Sequence, residues 1–300
     1  MWSSITTALA NRNLLWVGLF LVLTVACLTS IGAAQGTGLR APSTATAGTA
    51  VSIATFGSGD ATLYLLGPGH TSKQKVRLGE AISVGSDQIR AAGRYLAILC
   101  SGTCQSAFFY VSPAGPASMS FLVHPSRVAV KQPGAISGVA FPYDKFHNLI
   151  VAPITIDFQL KSNGSDSVAR PTTTQHGVAW FRANSGNRAG TAQISASVGD
   201  LSVRRVVQQV ASDPCNLRIK AQRTAKSILV ETEPVRDCSG NAVPDGTIVT
   251  FTATDPIGKS TVDMPVKQGV ARAQLTASGS TVISVASGVV MGNQIRLGAQ

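Results

Sequence analysis

A chain of 300 residues has room for two or three domains of about 100 residues each. Charged residues make up 13%, against roughly 25% in an average soluble protein; Gly, Ser, Thr, Ala and Val fill the difference and only three Glu occur, which excludes a mainly helical chain. The net charge of +11 is scattered, with Arg204-Arg205 the one adjoining basic pair, and aromatics are 6%, so the concentrated patch with stacking rings that nucleic-acid binding requires is missing and weak attraction to anionic surfaces is what the charge supports.

The first element is an uncharged run from Leu14 to Ala34, preceded by Arg12 and by no acidic residue. A basic flank followed by an apolar run reads as an export signal, with Gly32 and Ala34 as the small residues before a cut at Gln35. Two other readings stand beside it. The run is long enough to span a bilayer and remain as an anchor, and Leu23 to Cys27 resembles a lipobox with Cys27 as the lipidated residue. All three export the chain from about Gln35 onward. The expected division is therefore 1–35 as signal or anchor, with domains at 36–114, 115–211 and 212–300.

Beyond the N-terminal run, alternating apolar residues bounded by Gly, Pro, Asn, Asp and Ser recur about every ten residues, which is a strand signal. "AVSIATF", "ATLYLLG", "RYLAILC" and "SAFFYVS" supply the first domain. "LLGPGHTSKQ" (residues 65–74) is expected to be an exposed loop there. Gly93-Arg94-Tyr95 fits a tyrosine corner, in which the phenol bonds upstream backbone, or else a half-exposed strand Tyr. "VSPAGPASM" links to a second domain carrying "MSFLVHP", "PITIDFQL", "GVAWFRAN", "TAQISASV" and "LSVRRVVQQV". "VASDPC" links to a third, carrying "NLRIKAQ", "SILVETEP", "TIVTFTAT", "GVARAQLTA" and "TVISVASG". Many short strands at even spacing predict an all-β fold of tandem immunoglobulin-like β-sandwiches.

The last two domains repeat each other. "DKFHNLIVAPITIDF" (Asp144 to Phe158) and "DCSGNAVPDGTIVTF" (Asp237 to Phe251) share their Asp, Asn and Phe places at a displacement of 93. "QHGVAWFRA" and "KQGVARAQL" match again at a displacement of 92. Ile154, Ile156 and Phe158 align with Thr247, Val249 and Phe251 as one strand face, and Asn148 and Asn241 fall in the preceding bend, where Asn tolerates positive φ. The pattern of Asp, a Gly-Asn turn, "TIVTFTAT", "QGVARAQLTAS" and "STVISVAS" resembles the bacterial immunoglobulin-like (Big-1) domains of the invasin and intimin type, over residues 215–300 and more loosely over 117–210. His147 replaces the turn Gly in the earlier copy. The resemblance implies a stalk or adhesive role at a bacterial cell surface, and it brings no catalytic residue.

Setting Cys27 aside, Cys100, Cys104, Cys215 and Cys238 form two local pairs, and an even count in an exported chain suggests disulfides within each pair. His70, His124, His147 and His176 lack metal spacing, and no nucleophile elbow, zinc-protease, P-loop or dinucleotide motif occurs. No metal site or cofactor is expected. Trp180, the one Trp after residue 35, is expected in the core or on a half-covered face, with ligand stacking as its functional alternative; the matched place in the third domain is Arg272. The sequence thus predicts a non-enzymatic, exported envelope or surface protein, acting as a spacer or adhesion module. Its expected partners are host or neighbouring cell-surface proteins, anionic polysaccharides and, through the N-terminal run, a membrane. The alternative is a carbohydrate-binding accessory module of an extracellular hydrolase.

Overall fold

The computed structural model describes residues 37–163, 167–225 and 227–299. The N-terminal run and Cys27 lie outside them. Among the described residues every regular element is a strand, and no helix is long and apolar enough to cross a membrane. Contacts divide these residues into two compact units. One holds 37–45, 49–89 and 93–110; the other holds 46–48, 90–92 and all from Val111 onward.

The first unit is built on a sandwich of β1 (Gly38–Arg40), β2 (Thr44–Thr46), β3 (Val51–Phe56), β4 (Asp60–Gly67), β5 (His70–Arg77), β6 (Ala81–Val84), β7 (Gly93–Ser101) and β8 (Thr103–Ser112). The strand orders are β1-β3-β6 and β2-β8-β7-β4-β5. Period-two alternation sends Ile53, Leu63, Leu65, Ala97, Leu99 and Phe109 inward. Tyr95 is fully buried and stacks on Phe109 at 5.3 Å, with its hydroxyl 3.5 Å from the Gln88 carbonyl oxygen. The corner reading therefore holds over the half-exposed one. Residues 65–74 correct the expectation of a loop. They form a hairpin whose two strands run on either side of Pro68-Gly69, with Gly67 opposite His70. β5 was hidden because its outward places are Thr71, Lys73, Lys75 and Arg77, so the strand carries little apolar signal.

The second unit contains two sandwich cores. The earlier comprises β9 (Ser118–His124), β10 (Arg127–Ala129), β11 (Ile136–Tyr143), β12 (Thr155–Ser162), β13 (Val168–Thr173), β14 (Ala179–Ala183), β15 (Gly190–Val198) and β16 (Leu201–Val210). Its sheets are β14-β11-β9 and β10-β16-β15-β12-β13, with β10 pairing parallel to β16. Phe121, Phe158 and Phe181 meet in its core, the last two stacked at 4.7 Å. Between them passes β11, where a Cβ on Gly138 would lie 2.3 Å from the Phe181 ring.

The later sandwich comprises β17 (Pro214–Cys215), β18 (Ile219–Arg223), β19 (Ile228–Thr232), β20 (Arg236–Asp237), β21 (Ile248–Thr254), β22 (Lys259–Pro265), β23 (Arg272–Leu275), β24 (Thr281–Ser287) and β25 (Val290–Leu297). β18-β19-β23 faces β22-β21-β24-β25, and β17 pairs with β20. The repeated strand face is inward in both copies. Ile156 and Phe158 are buried on β12, Val249 and Phe251 on β21. The second repeated block is a tight turn in both. His176-Gly177 and Gln268-Gly269 carry successive positive φ values, closed by Gln175–Val178 and Lys267–Val270 backbone bonds, the two-residue turn whose twist suits a hairpin.

Candidate functional site

The repeated Asp and Asn build one device twice. In the later copy Asp237 is buried, and its Oδ1 accepts from the Ser239 and Asn241 amides at 2.8 and 2.9 Å. Its Oδ2 accepts from Asn241 Nδ2 at 2.9 Å and from the Ser212 amide, in the segment preceding the sandwich, at 3.1 Å. Asn241 then reaches back into the earlier sandwich: Nδ2 donates to the Asn187 carbonyl at 3.0 Å, and Oδ1 accepts from the Ala189 amide at 2.8 Å.

Asp144 and Asn148 repeat each of these bonds; the Ser212 hydroxyl, 3.5 Å from Asp237 Oδ2, alone has no counterpart at Ala114. Asp144 accepts from the Phe146 and Asn148 amides, from Asn148 Nδ2 and from the Ala114 amide, between 2.8 and 2.9 Å. Asn148 donates to the Arg90 carbonyl at 2.7 Å and accepts from the Ala92 amide at 2.8 Å. Burial by itself would raise both carboxyls, but the Asn side chain and the converging amides outweigh it and hold Asp144 and Asp237 below the usual Asp range.

This geometry corrects the sequence expectation for the two Asn residues. The positive φ belongs to the residue before each, His147 with φ 64 and Gly240 with φ 82. The Asn side chain is kept for its paired donor and acceptor, which match a peptide's own carbonyl and amide.

The cysteines close Cys100–Cys104 in the β7–β8 hairpin and Cys215–Cys238 at the start of the later sandwich. The second spans 23 residues. Breaking it by Cys215→Ser with Cys238→Ser is expected to cost about 3 kcal/mol by the chain-entropy relation. Urea titration of the double variant against the parent reads the loss, and the Cys100–Cys104 loop, with its separation of 4, gives a smaller one.

Trp180 is 64% exposed, not core. Alternation on β14 gives the inward place to Phe181, so its neighbour must point out. Register then sets Leu122, Val139 and Trp180 side by side across β9, β11 and β14; Leu122 is 60% exposed. In the later sandwich the same three places, across β18, β19 and β23, hold Lys220, Glu231 and Arg272. Arg272 bonds Glu231 at 3.0 Å, and that bond draws Glu231 below its ordinary range. One fold thus carries an apolar row in one copy and a charged row in the other. The fold does not require the apolar one.

Among the described residues no group of three His, Cys, Asp or Glu is placed to hold a metal ion. Asp255, in the Thr254 to Gly258 turn, spends its carboxylate on the Ile257, Gly258 and Ser278 amides.

No protein-family model matches the chain, and no curated protein does. Solved structures do. FdeC, described as a broadly conserved Escherichia coli adhesin, aligns over 89% of this chain and 98% of its own, with TM-score 0.61 and 14% identity. InvD of Yersinia pseudotuberculosis aligns over 88% and 98%, with TM-score 0.51 and 12% identity. Invasin, described as a bacterial integrin-binding protein, aligns over 88% of this chain and 59% of its own, with TM-score 0.50 and 10% identity. Identities at this level carry the fold: the chain has the tandem immunoglobulin-like architecture of the invasin-type bacterial adhesins.

Proposed function

We propose that the chain is an exported bacterial envelope or cell-surface protein, non-enzymatic, whose modules at 36–114, 115–211 and 212–300 serve as spacer and adhesion surface. The observation that carries this reading is the contrast between the two copies. Leu122, Val139 and Trp180 occupy places that the fold fills equally well with Lys220, Glu231 and Arg272, and exposed apolar rows without a structural need are what contact surfaces are made of. The uncharged run before Gln35 and the two disulfides support export. Fractionation with protease shaving of intact cells tests it. The chain is expected in the envelope fraction and cleaved from outside, and recovery in the cytoplasm overturns the reading.

The exposed indole favours a second reading, binding of a polysaccharide. A stacked ring is worth about 1–1.5 kcal/mol, so Trp180→Ala is expected to weaken retention on polygalacturonate by roughly tenfold. Equal retention of parent and variant in affinity electrophoresis removes this reading and leaves the first.

A further inference from the structure

The outward face of the β2-β8-β7-β4-β5 sheet carries a second, larger apolar array. Tyr64 and Leu66 on β4, Leu96 and Ile98 on β7, and Phe108 and Tyr110 on β8 all point away from the core. Phe108 and Tyr110 are 52% and 57% exposed. Register places Leu66 beside Leu96 and Tyr64 beside Ile98. At a strand spacing of about 4.8 Å and a rise of about 3.3 Å per residue, the six side chains form one contiguous array over roughly 200 Å2 of the sheet face.

Cations frame it. Arg94 lies over the Phe108 ring at 5.0 Å and Lys73 over Tyr64 at 5.5 Å. Lys75 and Arg77 continue the β5 edge, and Asp60 opposite Arg77 is the acid among them. A concavity of ≈ 470 Å3 at the hairpin end is lined by Asp60, Thr62, Lys75, Arg77 and Cys100.

We infer that this face lies against an anionic lipid bilayer, Lys73, Lys75, Arg77 and Arg94 meeting headgroup phosphates while Tyr64, Phe108 and Tyr110 sit at the headgroup level. Three observations choose this occupant. Amphipathic rings mixed with long cationic side chains are the composition that favours the membrane–water interface. A cationic frame repels a second copy of itself, which argues against self-association. The uncharged run ends at Ala34 and β1 begins at Gly38, so three intervening residues, about 10 Å when extended, join the sandwich to a segment expected to meet the membrane. A sugar chain fits less well: the centre of the array is aliphatic, and the uncharged polar groups of the face are hydroxyls, Thr44, Thr46, Thr62, Thr71, Ser106 and Ser112, with no side-chain amide beside the rings.

The inference rests on the envelope reading above, and the two fail separately. Cell fractionation reports location, whereas the following assay reports this face. Buried core residues run from Ala47 to Val285 among the described residues, so a chain beginning at Gln35 keeps its cores and can be tested without the apolar run. It is expected to float with vesicles of equal parts phosphatidylglycerol and phosphatidylcholine, to float poorly with phosphatidylcholine alone, and to be released by salt. Lys73→Glu with Lys75→Glu is expected to lower binding by about thirtyfold or more, and Phe108→Ser with Tyr110→Ser to abolish flotation. Val289→Ser and Ile257→Ser, exposed apolar places in the later sandwich, leave it unchanged. Far-ultraviolet dichroism confirms that each variant is folded. Absence of flotation with the anionic vesicles overturns the inference, as does equal flotation of the folded face variants. Retention on polygalacturonate that the face variants abolish, without flotation, reassigns the face to a glycan and overturns it too.

Discussion

Asp237→Ala is expected to destabilise the later sandwich by roughly 3–5 kcal/mol. Four donors within 3.1 Å converge on this buried carboxylate. Hydrogen bonds to a charged group contribute about 1.5–3 kcal/mol each, so the estimate stands even if half of the donors regain water. Asp237→Asn keeps the shape but turns an amide donor toward other donors, and it is expected to lose most of the same stability. The pH dependence has a fixed sign. The folded carboxyl is held below its unfolded value of about 3.9, so the folded state takes up its proton less readily than the unfolded chain. Its contribution is complete above that value and is lost as pH falls below it through the folded pKa. Urea titrations at neutral pH and near pH 3 measure this. A parent whose later sandwich is as stable at pH 3 as at pH 7, or an Asp237→Ala chain that melts like the parent, contradicts the assignment. Asn241→Ala removes the bonds to Asn187 and Ala189 together with one of the donors to Asp237, so it is expected to cost only part of the Asp237→Ala loss while the Ala189 amide exchanges faster.

Phe158→Ala is expected to cost about 3–5 kcal/mol, within the range for emptying a phenyl site in a packed core. Phe158 is buried against Phe121 and Phe181 at 5.8 and 4.7 Å, and Gly138 beside Phe181 leaves no nearby side chain to refill the space. A domain's whole stability is of order 5–15 kcal/mol, so the earlier sandwich should be largely opened by modest urea. The later sandwich keeps its own core around Phe251 and its own disulfide. Pulse proteolysis in rising urea is expected to cut within residues 118–210 of the variant first and to leave a resistant disulfide-bonded fragment. Simultaneous loss of both sandwiches would show instead that they fold as one cooperative body.

The sequence by itself determined the all-β class and the inward stripe of the two copies. Ile156 with Phe158 and Val249 with Phe251 alternate at period two, and a one-residue slip would expose every one of them. It also determined the two local cysteine pairs, which nearness in the chain makes adjacent in space.

Strands without apolar bulk stayed hidden until the tertiary structure placed them. β11 presents Ile136, Gly138, Ala140 and Pro142 to the core, because Phe121 and Phe181 on the neighbouring strands fill the volume. β5 and β13 are sheet edges, whose outer places are polar. The junction could not be read locally either. Asp237 and Asn241 are four residues apart, but their partners at Ser212, Asn187 and Ala189 lie between 25 and 54 residues away, and a hydrogen bond leaves no periodic trace in the chain. Trp180 shows the same limit from the other side. Alternation says that Trp180 and Phe181 face opposite ways, and only the packing of the second sheet decides which of them meets water.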